Sequence, residues 1–170
     1  YSSIRIDVRR GEAIKQGVPV ITPTGTADKL TVGEKGEERN LRYNIFRACF
    51  YDSYQGTYMA EYASQQGYKK AYVLYNMDED YSIGLKNAFV ETATSKNITV
   101  DTAAYNKNDK DFNAFWIPIL EGGYDCVYVP DYYQNVYNIL KTGYSKGFEG
   151  VCYGGDGWDG VIQQLKADED

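Results

Sequence analysis

From Ala71 onward, short runs of β-branched and aromatic residues alternate with longer stretches in which apolar residues recur at helical spacing. Lys69 to Met77 (KKAYVLYNM) reads as a buried strand, followed by a helix from about Tyr81 to Ser95 with Leu85, Ala88 and Phe89 on one face. Ile98 to Tyr105 (ITVDTAAY) is the next strand. The helix after it spans Asp111 to Glu121, turns Phe112, Phe115, Ile119 and Leu120 inward, and ends at Gly122-Gly123. Tyr124 to Pro130 (YDCVYVP) reads as a strand, Tyr133 to Ser145 as a helix, Gly150 to Tyr153 (GVCY) as a short strand, and Trp158 to Lys166 as a last helical turn or two. Upstream, Tyr51 to Gln66 has Tyr54, Met59, Tyr62 and Ala63 at helical spacing and closes at Gly67.

The resulting order, αβαβαβαβα, predicts an α/β fold: right-handed crossovers make a parallel sheet with helices on both faces. Ligands of such sheets bind outside the carboxyl ends of the strands. That singles out the loops Asn76 to Tyr81, Asn106 to Lys110, Pro130 to Tyr133 and Gly154 to Trp158. The first fifty residues differ: a helix-like stretch Ile4 to Gln16, a strand Val18 to Thr22, a polar segment Pro23 to Asn40 and an extended stretch Arg42 to Phe50. One helix and one strand cannot form a core alone, so this part must pack on the main unit or belong to a sheet otherwise absent. The division expected is 1–48, then 49–170.

Composition narrows the function more than the fold. The apolar share of 43% and charged share of 25% are those of a globular domain, and 170 residues suffice for one core. No apolar run reaches the roughly 18 residues of a membrane span, and Tyr1 to Arg10 lack a signal-peptide pattern, so the sequence is expected to begin after any targeting segment. A net charge of −6 and a pI near 4.8 argue against nucleic-acid partners, which require clustered Lys and Arg. Histidine is absent. That removes the usual general base, the Ser-His and Cys-His pairs and the commonest metal ligand. Cys49, Cys126 and Cys152 have no CxxC spacing and read first as buried small apolar residues, with a Cys126 to Cys152 contact as the weaker alternative. Tyrosine is abundant, at 18 copies against two Trp and six Phe. It suits recognition of amphipathic small ligands, although half-buried packing accounts for most of the copies.

Three segments at predicted strand ends carry candidate chemistry. Thr22-Pro23-Thr24-Gly25-Thr26 could offer hydroxyls and backbone N–H groups to an anion, while spacing alone fits an ordinary Pro/Gly turn better. In Asp78-Glu79-Asp80-Tyr81-Ser82, Asp80 reads as a helix N-cap and Tyr81 falls at the mouth of a cleft. In Gly154-Gly155-Asp156-Gly157-Trp158-Asp159, three glycines surround one carboxylate directly after a strand. Asp156 there would suit a ligand ammonium, helped by the faces of Trp158 or Tyr132; a solvated turn fits the local sequence equally well. Paired acids such as Asp78 and Asp80 lack the EF-hand spacing, and neither a phosphate loop nor a nucleophile elbow occurs. No catalytic residue, metal ligand or cofactor is expected.

In register over about Gly17 to Gly160, the segments VPVITPTGTADKLT, NIFRACFYDSYQG, YVLYNMDEDYSIGLKNAF, DCVYVPDYYQNVYNILKTGYSKGF and YGGDGWDG resemble the type 1 periplasmic binding proteins of ABC importers. The likeness is to the branched-chain amino-acid receptors, the leucine/isoleucine/valine-binding proteins. It implies two Rossmann-like lobes with an amino-acid ligand held between them. By that resemblance Thr24 and Thr26 bind the ligand carboxylate, Tyr81 and Tyr132 or Tyr133 cover the ligand, Asp156 receives its ammonium, and Trp158 walls its side chain. Tyr1 to Gln16 depart from the pattern. A whole family member is about twice this length, so the chain is expected to be a fragment covering mainly the second lobe.

The function so implied is extracytoplasmic capture of an amino acid or similar small polar solute, in the periplasm or at the cell surface as a lipoprotein. Delivery would be to ABC permease subunits, without catalysis. The alternative from another class is a ligand-sensing domain of a receptor or regulator with the same fold. An enzyme of flavodoxin-like architecture is disfavoured by the missing histidine and phosphate loop.

Overall fold

A computed structural model describes residues 18–31 and 44–169. The helical stretch expected at Ile4 to Gln16, the second half of the polar segment Pro23 to Asn40 and the start of the Arg42 to Phe50 stretch lie outside those residues. Packing divides the chain into two compact units, Tyr1–Asp52 and Ser53–Asp170.

In the first unit, β1 (Val20–Thr22) pairs in parallel with β2 (Ile45–Arg47), setting Val20 opposite Ile45 and Thr22 opposite Arg47. A single 3-10 turn, Asp28–Leu30, follows β1.

The second unit alternates helix and strand in the predicted order. Helix α1 (Asp52–Gln65) leads into β3 (Lys70–Asn76), α2 (Asp80–Ser95), β4 (Thr99–Tyr105), α3 (Asn113–Gly122), β5 (Cys126–Tyr128), α4 (Tyr133–Ser145), β6 (Val151–Tyr153) and α5 (Val161–Glu169). The strands form a parallel sheet in the order β4-β3-β5-β6. Side chains alternate across a strand, so the apolar runs of β3 and β5 feed two cores. Ala71, Val73, Cys126 and Tyr128 join Ala60 and Ala63 of α1 and Leu85, Phe89 and Ala93 of α2 on one face. Tyr72, Leu74, Val127 and Val129 join Trp116, Ile119, Val136, Ile139 and Val161 from α3, α4 and α5 on the other. Each fully buried large apolar side chain stabilises the fold by roughly 1.5–3 kcal/mol. The α/β fold with helices on both faces of a parallel sheet is therefore the one expected.

Several details correct the sequence reading. Tyr54 and Tyr62 face solvent at 57% and 44% exposed, together with Tyr58. The buried side of α1 is its small residues, because Gly56 lies against α2: a Cβ there would fall 2.4 Å from the Leu85 carbonyl oxygen and 2.8 Å from Ala88 Cβ. On α3 Ile119 is buried as expected, Trp116 is buried beside it, and Leu120 is exposed. The Trp116 indole donates to the Ile139 carbonyl at 2.9 Å and occupies the space that the missing side chain of Gly143 leaves on α4. Strand β5 stops at Tyr128, short of Pro130. A 3-10 turn, Asp156–Trp158, precedes α5, which begins at Val161. Asp80 is the first residue of α2, and the cap position falls to Glu79. The three cysteines are free, so no disulfide joins Cys126, which lies in one core, to Cys152, which packs against the other.

Candidate functional site

The chain passes from β3 to β4 on one side and then to β5 on the other, so the carboxyl ends of β3 and β5 flank a topological switch point. A buried carboxylate sits there. Asp131, three residues beyond β5, is 1% exposed. Its Oδ2 accepts the Tyr105 hydroxyl at the end of β4, Asn135 Nδ2 of α4 at 2.8 Å and Asn76 Nδ2 at the end of β3 at 3.4 Å. Its Oδ1 accepts the Tyr132 amide at 2.8 Å. Four donors from β3, β4 and the start of α4 thus replace the water that Asp131 has lost. Burial first, then the Asp131 charge, hold the Tyr105 phenol well above its ordinary range. Asn76 is fixed in turn, its amide donating to Ser82 Oγ at 2.9 Å and its Oδ1 accepting the Asp78 amide at 3.0 Å.

Beside this network stands a second one built on Tyr81. Its position in the first turn of α2 carries the ring over the sheet end, where it is 6% exposed and stacked on the Tyr132 ring at 4.8 Å. The Tyr81 hydroxyl donates to Asp156 Oδ1 at 2.7 Å and accepts the Gly157 amide at 2.9 Å. From α1, Gln55 Oε1 accepts the Asp156 amide at 2.9 Å. The glycines allow these approaches. A Cβ on Gly155 would lie 2.8 Å from Gln55 Oε1, and one on Gly157 would lie 2.8 Å from the Asp131 carbonyl oxygen. Burial, then the Asp156 carboxylate, push the Tyr81 phenol far above its usual range, so it remains a donor at any working pH. Asp156 is solvent-exposed, and among the described residues nothing donates to its Oδ2.

Tyr132 is 45% exposed and presents one ring face outward. Trp158 donates its indole N–H to the Val129 carbonyl at 2.8 Å and packs with Tyr133 against the core on the α3, α4 and α5 face. Both rings support the loop from within. The Asn106 to Lys110 loop closes on itself, Asp109 Oδ2 accepting the Asn106 amide at 2.9 Å. Glu79 is raised above the ordinary glutamate range by burial first, then by Asp131, with Asp80 and Asp78 adding and Lys107 opposing. This end of the sheet is therefore acidic and rich in phenol rings, an environment suited to a small cation with an amphipathic body.

In the first unit, Thr24 is exposed and Thr26 half-buried in the loop after β1. Thr22 Oγ1 accepts the Gly25 amide at 2.8 Å. The loop is gathered around Arg47 of β2. Its Nη1 donates to the Gly25 and Thr26 carbonyls at 3.1 and 2.8 Å. Nη2 donates to the Ala27 and Asp28 carbonyls at 2.8 and 3.3 Å. Nε and Nη2 also reach Thr31 Oγ1 at 3.1 and 2.8 Å, and the guanidinium lies 4.0 Å from the Tyr51 ring centroid.

Asp131, Gln55 and Arg47 were not singled out from the sequence. For Asp131 the signal was present, a lone acid directly after the apolar run CVYVP; for the other two, partners distant in sequence define the role. Among the described residues no group of three or more His, Cys, Asp or Glu could hold a metal ion. Burial pushes the Cys126 and Cys152 thiols up to about 12 and about 11, so both are protonated at neutral pH and unfit as nucleophiles.

The Periplasmic binding protein family profile matches residues 11–170. The chain is 28% identical over 144 residues to a Leu/Ile/Val-binding protein homologue of Brucella melitensis, covering 84% of this chain and 37% of that protein. A leucine-binding protein from Thermotoga maritima has a similar structure, with a TM-score of 0.79 at 29% identity, over 90% of this chain and 42% of the other. A branched-chain amino acid transporter substrate-binding protein from Streptococcus pneumoniae, solved with isoleucine, aligns over 94% of this chain and 44% of its own at 29% identity and a TM-score of 0.76. The chain thus spans less than half the length of these relatives.

Proposed function

This chain belongs to the periplasmic binding protein family, and we propose that it serves in the solute-binding component of an ABC importer, outside the cytoplasm, capturing an amino acid or similar small polar solute. The observation that carries the reading is Asp156. One of its carboxylate oxygens is fixed by the Tyr81 hydroxyl at 2.7 Å and its amide by Gln55 at 2.9 Å, while Oδ2 is left to solvent beside the exposed Tyr132 ring. A carboxylate held so firmly on one side and open on the other is prepared for a ligand ammonium. The acids around Glu79 and Asp131 strengthen the local preference for a cation.

In this reading the second unit by itself offers Asp156 to an ammonium and the Tyr132 ring, with Tyr81 behind it, to the body of the ligand; the first unit by itself offers the Thr24–Thr26 loop to a carboxylate. Tyr133 and Trp158 act from behind the contact surface as supports. The relatives named for leucine, isoleucine and valine binding support an amino-acid ligand. Binding and release to permease subunits involve no bond change, so neither cofactor nor catalytic residue is required. No helix among the described residues is long and apolar enough to cross a membrane.

A thermal-shift screen of the full-length protein against the twenty standard amino acids tests this. A ligand at a hundred times its Kd stabilises the folded state by about 2.7 kcal/mol, a readily measured rise in Tm. At least one amino acid is expected to produce it. If none does, and carboxylic acids lacking an amine do, the ammonium role of Asp156 is wrong.

A further inference from the structure

Arg47 carries the strongest structural signal that the proposed function leaves unused. Its N–H donors are all engaged by the Gly25–Thr31 segment, at the six distances given above. An arginine in a binding protein for carboxylates would ordinarily be read as the carboxylate receptor, yet this guanidinium has no donor left for a ligand.

What it does instead follows from peptide geometry. In a trans peptide the C=O of one residue and the N–H of the next point in opposite directions, and no cis peptide occurs among the described residues. The carbonyls of Gly25, Thr26, Ala27 and Asp28 converge on Arg47. The amides of Thr26, Ala27, Asp28 and Lys29 are therefore turned outward, away from the guanidinium. Among the described residues no acceptor takes those of Thr26, Ala27 or Asp28. Backbone amides hold three of the four carbonyls as well, Asp52 reaching Thr26 at 3.0 Å, Leu30 reaching Ala27 at 3.1 Å and Thr31 reaching Asp28 at 3.2 Å. Arg47 is the one side chain that ties all four together, and it adds the Gly25 peptide, which no backbone amide holds among the described residues.

We propose that Arg47 is the positioning residue of the Thr24–Thr26 loop: by gathering four successive carbonyls it presents the opposite amides to the ligand carboxylate without touching the ligand itself. The inference rests on the reading of the protein as an amino-acid binder. Arg47 also sets a fixed positive charge one peptide away, which adds to the field an anion meets.

The test uses the full-length protein, the amino acid that binds most tightly in the screen, and the carboxamide of that amino acid, which keeps the ammonium and loses the carboxylate. Titration calorimetry, with competition for the weaker ligand, gives both affinities for the unaltered protein, Arg47→Lys and Arg47→Ala. The unaltered protein is expected to prefer the acid strongly. Arg47→Ala should weaken acid binding by about tenfold or more, as loss of charged hydrogen bonds implies, while carboxamide binding stays within about twofold. Arg47→Lys should fall between, and added methylguanidinium should restore part of the Arg47→Ala loss. If Arg47→Ala does not fold, the acid-to-amide ratio of Arg47→Lys decides. A variant that keeps the full preference for the acid overturns the positioning role and leaves the amino-acid reading intact. An unaltered protein with no preference for the acid overturns both.

Discussion

Tyr81→Phe isolates one oxygen atom on which the geometry of Asp156 depends. The ring remains, buried and stacked on Tyr132 at 4.8 Å, so no cavity larger than a hydroxyl is created. Two hydrogen bonds are lost, one donated to Asp156 Oδ1 at 2.7 Å and one accepted from the Gly157 amide at 2.9 Å. A hydrogen bond to a charged group contributes about 1.5–3 kcal/mol net, and a neutral one about 0.5–1.5. Asp156 is exposed, and water can replace the donor it loses, so the lower ends apply. The expected destabilisation is about 2 kcal/mol, read as a lower midpoint in urea at unchanged m-value. Ligand affinity should drop by about tenfold, or about 1.4 kcal/mol, because a carboxylate released from Tyr81 must be reoriented on binding. Titration calorimetry on the full-length variant measures this. A Tyr81→Phe protein with unaltered urea midpoint and unaltered affinity would refute the view that the hydroxyl organises the Gly154–Trp158 loop.

Asp131→Asn turns one acceptor oxygen at the switch point into a donor facing the donors of Asn76, Asn135 and Tyr105. It should destabilise the fold by about 1–3 kcal/mol in denaturant titration, and an unchanged midpoint would mean that the network is not a structural hub. For Glu79, whose folded value is raised by burial and by Asp131, the sign is that stability is fully present below the unfolded value of about 4.3 and is lost as pH rises through the folded value. Glu79→Gln is therefore expected to be more stable than the unaltered protein at pH 7, with the difference closing by about pH 3; a lower Tm for the variant at pH 7 would contradict it.

The fold was legible wherever a long, strongly patterned segment decided it. KKAYVLYNM supplies residues to both cores, as a strand covered on two faces must, and the helix from Tyr81 to Ser95 lies within one residue of the observed Asp80–Ser95. The pattern failed on small and amphipathic residues. On α1 the tyrosines at helical spacing face solvent, while Gly56, Ala60 and Ala63 are buried, because proximity to α2 selects small side chains that a hydropathy reading underweights. On α3, Trp116 was passed over although its indole N–H finds a carbonyl on α4, a partner no local window contains.

The candidate site divides in the same way. Loops after predicted strands held Tyr81, Tyr132 and Asp156, since parallel topology alone directs attention to the carboxyl ends. How these residues interact was not legible. The Tyr81 to Asp156 bond joins positions 75 residues apart, the Gln55 contact 101, and Arg47 acts through four carbonyls, which leave no mark in a sequence.

Asp156 is the centre of the proposed site, because its partners fix one side of the carboxylate and leave the other open. Titration of the full-length protein and its Asp156→Ala variant with the best-binding amino acid measures that claim. Abolished binding with a Tm within a few degrees of the unaltered protein is the predicted result, because the substituted side chain is exposed in the absence of ligand and a ligand ammonium would lose its partner. Unchanged affinity in the variant would contradict it.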